Sequence, residues 1–302
     1  VTVNSITLGN GSNGGLAANY SISAGQTTTA HISPKSLTVS GNTASNKVYD
    51  SNSSATVSVT LSGFVGSETL TYTNSSSFNN KNVGTGKTVT VDSITLADGN
   101  NGGLASNYSI TPGQTTTANI TAKALTVSGI TASSKTYDGS TSATLDTSAI
   151  LYSGLIPGDI FDGSYTGAFS NANVGTAKTV TITSSYTGAD VSNYSITNQT
   201  STNADISAKA LTATASASNK TYNATNSASV TLTLSGLVGS ETLGSTNTST
   251  FNNKNVGSNK TVTVNSITLA DGSGLAANYS ISAGQTTTAN ITPKALTVSG
   301  IT

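Results

Sequence analysis

The sequence predicts an all-β protein of tandem antiparallel β-sandwich modules, Ig-like in plan, and three observations predict it. The first is repetition. K-A-L-T-V-S-G-I-T-A-S-S-K-T-Y-D-G begins at Lys123, K-S-L-T-V-S-G-N-T-A-S-N-K-V-Y-D at Lys35, and K-A-L-T-A-T-A-S-A-S-N-K-T-Y-N at Lys209. Its opening, K-A-L-T-V-S-G-I-T, returns at Lys294, and the four leading lysines lie 88, 86 and 85 residues apart. Self-similarity at a fixed period marks an array. The second observation is apolar alternation with period two, and the third is a Gly-rich break after each short run with no sustained 3.6-residue pattern.

The repeats divide the chain into 1–34 (the back of a module), 35–122, 123–208, 209–293, and 294–302 (the start of a further module). V-T-V-N-S-I-T-L at Val1 matches V-T-V-D-S-I-T-L at Val89 and V-T-V-N-S-I-T-L at Val262, so the chain reads as a window on a longer tandem protein. Within a module, Val57, Val59 and Leu61 alternate with polar residues, as do Val230, Leu232 and Leu234. Val89 and Val91 continue the alternation, and the phase then slips before Ile94 and Leu96, which predicts a bulge or corner. Tyr108 with Ile110, and Ala118 with Ile120, predict two further strands. The junctions I-S-P-K, I-T-A-K, I-S-A-K and I-T-P-K run from one strand into the next, which suits a stiff rod on the order of 100 Å long.

Composition narrows the function classes. Only 8% of the 302 residues are charged, the formal net charge is zero, and Arg, Cys and Trp are absent. Sparse, balanced charge lacks the Lys/Arg clusters that phosphate backbones require, so no nucleic-acid partner is expected. Without Cys there is neither a disulfide framework nor a thiolate metal site. The apolar runs are too short for a membrane span.

All twelve lysines fall at four module positions, including Lys47, Lys135 and Lys220 two residues before a tyrosine. Tyrosines recur twice per module, as Tyr49, Tyr137 and Tyr222 after Lys-x and as Tyr20, Tyr108, Tyr194 and Tyr279 in Asn-Tyr-Ser-Ile. A tyrosine is a large apolar body with one hydroxyl to satisfy, so these read as core or corner residues, with a sugar-stacking face as the alternative. Asn-Val-Gly, with Gly84, Gly175 and Gly257, reads as a turn in which Gly takes a positive φ and Asn bonds its own backbone.

No catalytic residue, metal ligand or cofactor is expected. Calcium needs several converging carboxylates, and each module offers one acid in its glycine loop (Asp98, Asp190, Asp271) and one near Glu68, Asp159 or Glu241. A Lys–Asn amide crosslink needs a buried Lys, an Asn and an acid together, which spacing does not establish. The one histidine, His31, is replaced by Asn119 and Asn290 in matching places, and the Asp of Tyr-Asp-Gly gives way to Asn223. A turn tolerates that exchange; a catalytic carboxylate does not.

The order of motifs is specific. K-T-Y-D-G at Lys135, S-G-L-I-P-G-D, A-F-S-N-A-N-V-G-T-A-K-T-V-T and S-N-Y-S-I in succession resemble the YDG repeat of bacterial surface proteins of the filamentous-haemagglutinin type. Departures from it are Ser51 for Gly in the first module and Asn223-Ala224 for Asp-Gly in the third. The resemblance implies an extracellular, β-rich stalk at the bacterial cell surface, in adhesins or biofilm-matrix proteins, with no catalytic residues. Expected partners are neighbouring repeats, with other copies in a fibre or a surface glycan or matrix polysaccharide as further candidates. Two rival functions follow: a self-assembling filament subunit that exchanges strands, and a glycan-binding module.

Overall fold

The computed structural model describes residues 1–300; Ile301 and Thr302, the end of the closing K-A-L-T-V-S-G-I-T motif, lie outside the described residues. The chain forms two compact units, Val1–Lys123 and Ala124 onward. Both are all-β, and the only helical elements among the described residues are four 3-10 turns of three residues each. No helix among them is long and apolar enough to cross a membrane.

In the first unit, residues 35–121 form three sheets. Thr38–Ala44 pairs antiparallel with Val57–Ser62. Lys35–Ser36 pairs in parallel with Tyr108–Ser109. The largest sheet runs in the order Lys47–Val48, Thr115–Thr121, Gly84–Asp98, Leu70–Phe78. Its long ladders are antiparallel, while Lys47–Val48 joins Thr115–Thr121 in parallel. Alternation reports which face a residue takes and carries no information on strand direction, so the parallel pairings lay outside the sequence expectation. Residues 1–34 are sparsely paired, with one bridge between Thr2 and Thr27.

In the second unit, residues 209–292 repeat this plan. Lys209–Ala217 pairs antiparallel with Val230–Ser235 and in parallel with Tyr279–Ile281. A four-stranded sheet runs Lys220–Thr221, Thr286–Thr292, Gly257–Asp271, Leu243–Phe251. The middle repeat is more elaborate: its larger sheet has five strands, Lys135–Thr136, Ser201–Ser207, Gly175–Thr187, Asp162–Phe169 and Ser142–Ala143. It also carries an aromatic group in which Phe161 stacks within 6.1 Å of Tyr152, Tyr186 and Tyr194.

The phase slip after Val91 is a bulge. Ser75 faces Ser93 and Ser76 faces Val91, so Asp92 has no partner residue, and Asn265 is skipped in the same way in the third repeat. Val89 and Val91 before the bulge are fully buried. The middle repeat alternates without a break through Val180, Ile182 and Tyr186, and its ladder from Phe169–Val180 to Asp162–Thr187 has no shift.

A second bulge recurs near the start of each long strand, between Gly84 and Lys87, Gly175 and Lys178, and Gly257 and Lys260. The residue there in left-handed conformation is Gly86 (φ 60°), Ala177 (φ 47°) or Asn259 (φ 49°). The expected positive φ at Gly84, Gly175 and Gly257 is therefore displaced by two residues. These three glycines serve another purpose: a Cβ on each would lie 3.4, 3.2 and 3.4 Å from the Cδ of Lys87, Lys178 and Lys260, whose stems cross over them.

The core is built from the inward residues of the long strands. In the third repeat Phe251, Val262, Ala289 and Ile291 form a buried cluster with Ala217, Tyr222, Ala228 and Val230 against it. Ile120 is 1% exposed in the first repeat. Ile120→Ala is expected to destabilise by about 2–5 kcal/mol, read as a lower denaturant midpoint; an unchanged midpoint would remove this site from the core.

Candidate functional site

The Lys-x-Tyr-Asp-Gly stretch forms a closed loop around its own lysine. Lys135 Nζ donates to Asp138 Oδ1 at 2.8 Å, to the Ser140 carbonyl at 2.9 Å and to Ser140 Oγ at 3.0 Å. Lys47 does the same with Asp50 Oδ1 (2.7 Å) and with the carbonyl and Oδ1 of Asn52 (2.8 and 3.0 Å). Lys220 reaches Asn223 Oδ1 (3.0 Å) and the carbonyls of Thr225 and Ser227 (2.8 and 2.9 Å). Each ammonium also stands over a phenylalanine ring, Phe78, Phe169 or Phe251, 5.5–5.6 Å from the centroid. These recurring phenylalanines escaped the sequence reading, although each sits six residues before the Gly of Asn-Val-Gly.

The Asp of the motif acts through one oxygen. Oδ1 of Asp50, Asp138 or Asn223 also accepts the amide of the residue two positions on, at 3.2, 2.9 and 3.2 Å. An asparagine supplies the same oxygen, which accounts for Asn223. The next residue is left-handed throughout: Ser51 (φ 65°), Gly139 (φ 77°) and Ala224 (φ 66°). Only Gly adopts that conformation without a Cβ penalty. Lys135 holds the Asp138 carboxyl down at about 2, with the Ser140 amide assisting.

The Asn-Tyr-Ser-Ile tyrosines make a second recurring contact. The hydroxyls of Tyr108, Tyr194 and Tyr279 accept the backbone amides of Val65, Ile156 and Val238 at 3.0, 3.0 and 2.9 Å. They donate to Glu68 Oε2, Asp159 Oδ2 and Glu241 Oε2 at 2.5, 2.5 and 2.6 Å. Tyr20, in residues 1–34, lies outside this pattern and is 67% exposed.

Within the second unit the two motifs meet. Tyr137 of the middle repeat donates to Glu241 Oε1 at 2.6 Å, so one carboxylate takes a tyrosine from each of two successive repeats. The two rings meet edge to face, 5.3 Å between centroids. Beside them Asn278, 2% exposed, accepts the Val174 amide at 2.9 Å and donates to Asn173 Oδ1 at 3.0 Å. A Cβ on Gly139 would stand 3.0 Å from Val238 Cγ1. Tyr137, Phe169, Val180 and Ile206 share one buried cluster with Leu211 and Tyr279 of the next repeat, so the core crosses the boundary.

Of the other sequence candidates, Tyr49 is 1% exposed and Tyr222 is half-buried. The acids of the glycine loop cap the 3-10 turns: Asp98 and Asp271 accept the amides of Ala105 and Ala276 at 2.8 and 2.7 Å. Among the described residues no three His, Asp or Glu side chains are grouped to hold a metal. Lys87, Lys178 and Lys260 donate to the amide oxygens of Asn80, Asn171 and Asn253 at 2.7, 2.8 and 2.6 Å. Those same oxygens accept the amides of Asn82, Asn173 and Asn255 at 3.0 Å, which places the Asn that caps the turn two residues before the expected one. The position of His31 is held in the full repeats by Asn119, Asp205 and Asn290, whose side chains accept the amides of Gly86, Ala177 and Asn259 at 2.8, 2.7 and 2.7 Å.

These recurring loops and tyrosine–acid contacts define tandem β-modules that share one set of structural contacts. The YDG domain matches residues 33–118, 121–202 and 207–289, and the chain belongs to that family, with three tandem copies. A comparison with curated proteins found no match.

Two expectations follow from the loop and the shared carboxylate. Ala224→Gly relieves a left-handed alanine and should stabilise the third repeat by about 1 kcal/mol, seen as a higher denaturant midpoint; a lower midpoint would show that the methyl group is needed there. The hydroxyls of Tyr137 and then Tyr279 hold Glu241 below its ordinary value, and the same contact pushes Tyr137 up to about 12. A depressed carboxyl stabilises above its unfolded pKa, and this is lost as pH falls through the folded value. A raised hydroxyl stabilises below about 10 and loses this as pH rises through about 12. Glu241→Gln should therefore cost about 1–2 kcal/mol at neutral pH and flatten the loss of stability on acidification below about 4.5. An acid limb of unchanged slope in thermal melts would remove Glu241 from that role.

Proposed function

We propose that the chain is a structural run of a secreted bacterial surface or matrix protein, a stalk that extends a binding tip from the cell or links cells in a fibre. The observation that carries the reading is the Glu241 carboxylate shared by Tyr137 and Tyr279, which ties one repeat to the next with groups that every repeat possesses. Membership of the YDG family and the sparsely charged Ser/Thr/Asn composition support it.

On this reading each repeat is a small β-sandwich, the repeats stack end on, and nearest-neighbour junctions set the stiffness of a rod. The work is mechanical, outside the cell, and involves no catalysis. Boundaries fall near Lys35, Lys123, Lys209 and Lys294; at Lys123 and Lys209 a strand of one repeat leads into the first strand of the next.

Small-angle scattering of the full chain at dilute concentration tests the reading. A compact protein of this length has a radius of gyration of about 19 Å, whereas a rod on the order of 100 Å long requires about 29 Å or more. A value near the compact one would sink the stalk. Filaments growing from a dilute sample would make assembly the function in its place.

A further inference from the structure

In the third repeat a cavity of about 330 Å³ opens where two paired strands part. Lys209–Ala217 and Tyr279–Ile281 run in parallel only as far as the Leu211–Ile281 pair. The chain then turns through Ser282 and comes back at Gln285, and the gap is lined from both sides. Its volume falls at the lower end of the range for small-molecule sites. All of its walls belong to the third repeat, and Leu211 and Ile281 also join the cluster shared with the middle repeat. A smaller side chain accounts for the opening. Ala213 stands where the first and middle repeats have Val39 and Val127, and Val127 is buried in one cluster with Ile130 and Ile182.

Two polar groups are turned to this gap. Ser218 donates its amide to the Ser229 carbonyl at 3.0 Å, and the register from Ala217 back to Thr212 is unbroken. Backbone amides of a strand alternate in direction, so Ala213 turns its own away from Val230–Ser235, to the side where the pairing with Tyr279–Ile281 has ended. Gln285 supplies the second group. Its Nε2 donates to the Ser282 carbonyl at 2.8 Å, and its Oε1 is buried with no hydrogen-bond partner among the described residues. A buried acceptor left unpaired is costly, so a donor brought to it is favoured. The middle repeat shows which donor suits: at the same place Gln199 Oε1 accepts the amide of Ile130 at 3.0 Å.

We propose that this cavity binds the acetamido group of an N-acetylated amino sugar. The acetamido N–H donates to Gln285 Oε1, its carbonyl accepts from the Ala213 amide, and its methyl fills the space that a valine takes in the other two repeats. The sugar ring meets the hydroxyls of Thr212, Ser280 and Ser282, and a lining without charge selects a neutral ligand. A peptide also carries amides, yet it needs a run of free strand edge, and the lining from the first strand ends at Ala213. The site stands whether or not the chain is a stalk.

Titration of the isotope-labelled full chain with N-acetylglucosamine, followed through amide NMR shifts, tests it. Shifts at Ala213, Ser282 and Gln285 are expected to saturate with a dissociation constant of about 1 mM, as for a ligand of this size at ordinary efficiency. Glucose, which lacks the acetamido group, should bind at least about 10-fold more weakly. Ala213→Val, which restores the residue of the first and middle repeats, should weaken N-acetylglucosamine roughly 10-fold without lowering the melting temperature. Absent or unsaturating shifts overturn the proposal, as does equal binding of glucose or wild-type binding by the Ala213→Val chain. Tighter binding of N-acetylalanine methylamide than of the sugar overturns it too, and gives the gap to a peptide.

Discussion

The structure depends on a lysine ammonium that binds its own following loop. An ammonium carries three donors, and here each finds an oxygen within seven residues of chain while the charge rests over a phenylalanine ring. Ion pairs on an open surface contribute little to stability. This one differs because two of its acceptors are a backbone carbonyl and a residue that also caps the turn, so losing the lysine would strand several groups together. The loop is thereby held in a single shape, and in the middle repeat it carries the Tyr137 hydroxyl to an acid of the next repeat.

A motif so local thereby joins two successive repeats. Tyr137 leaves its loop and ends on an acid 104 positions further along. The acid is held in place by Tyr279, whose hydroxyl is itself fixed by the Val238 amide. Hydrogen bonds to a carboxylate are about twice as strong as neutral ones, and two of them share this carboxylate with an edge-to-face aromatic contact beside it. The apolar cluster running from Phe169 to Leu211 excludes water from one side of the contact. Polar direction and apolar cover act at the same boundary.

Much of the fold was legible because strands announce themselves by alternation. The slip between Val91 and Ile94 foretold a bulge at Asp92, and its absence after Ile182 matches the unbroken ladder of the middle repeat. The replacement of Asp by Asn223 marked a turn residue, and Asn223 Oδ1 accepts the Thr225 amide two positions on, as Asp50 and Asp138 do in their loops. What stayed hidden was pairing at a distance. Nothing in the spacing of Glu68, Asp159 and Glu241 joins them to tyrosines 35–40 residues later, because a turn-rich chain offers many routes back to the same point. The left-handed position was misplaced at Gly84 because a glycine answers two needs, an unusual φ or room for a neighbour, and only the crossing stem of Lys87 tells them apart.

The interface at Glu241 is written in residues that each repeat carries at both of its ends. Loss or duplication of a whole unit by recombination between like segments therefore leaves a tyrosine and an acid of this kind in each repeat that remains. Length becomes a property that changes in steps of one repeat.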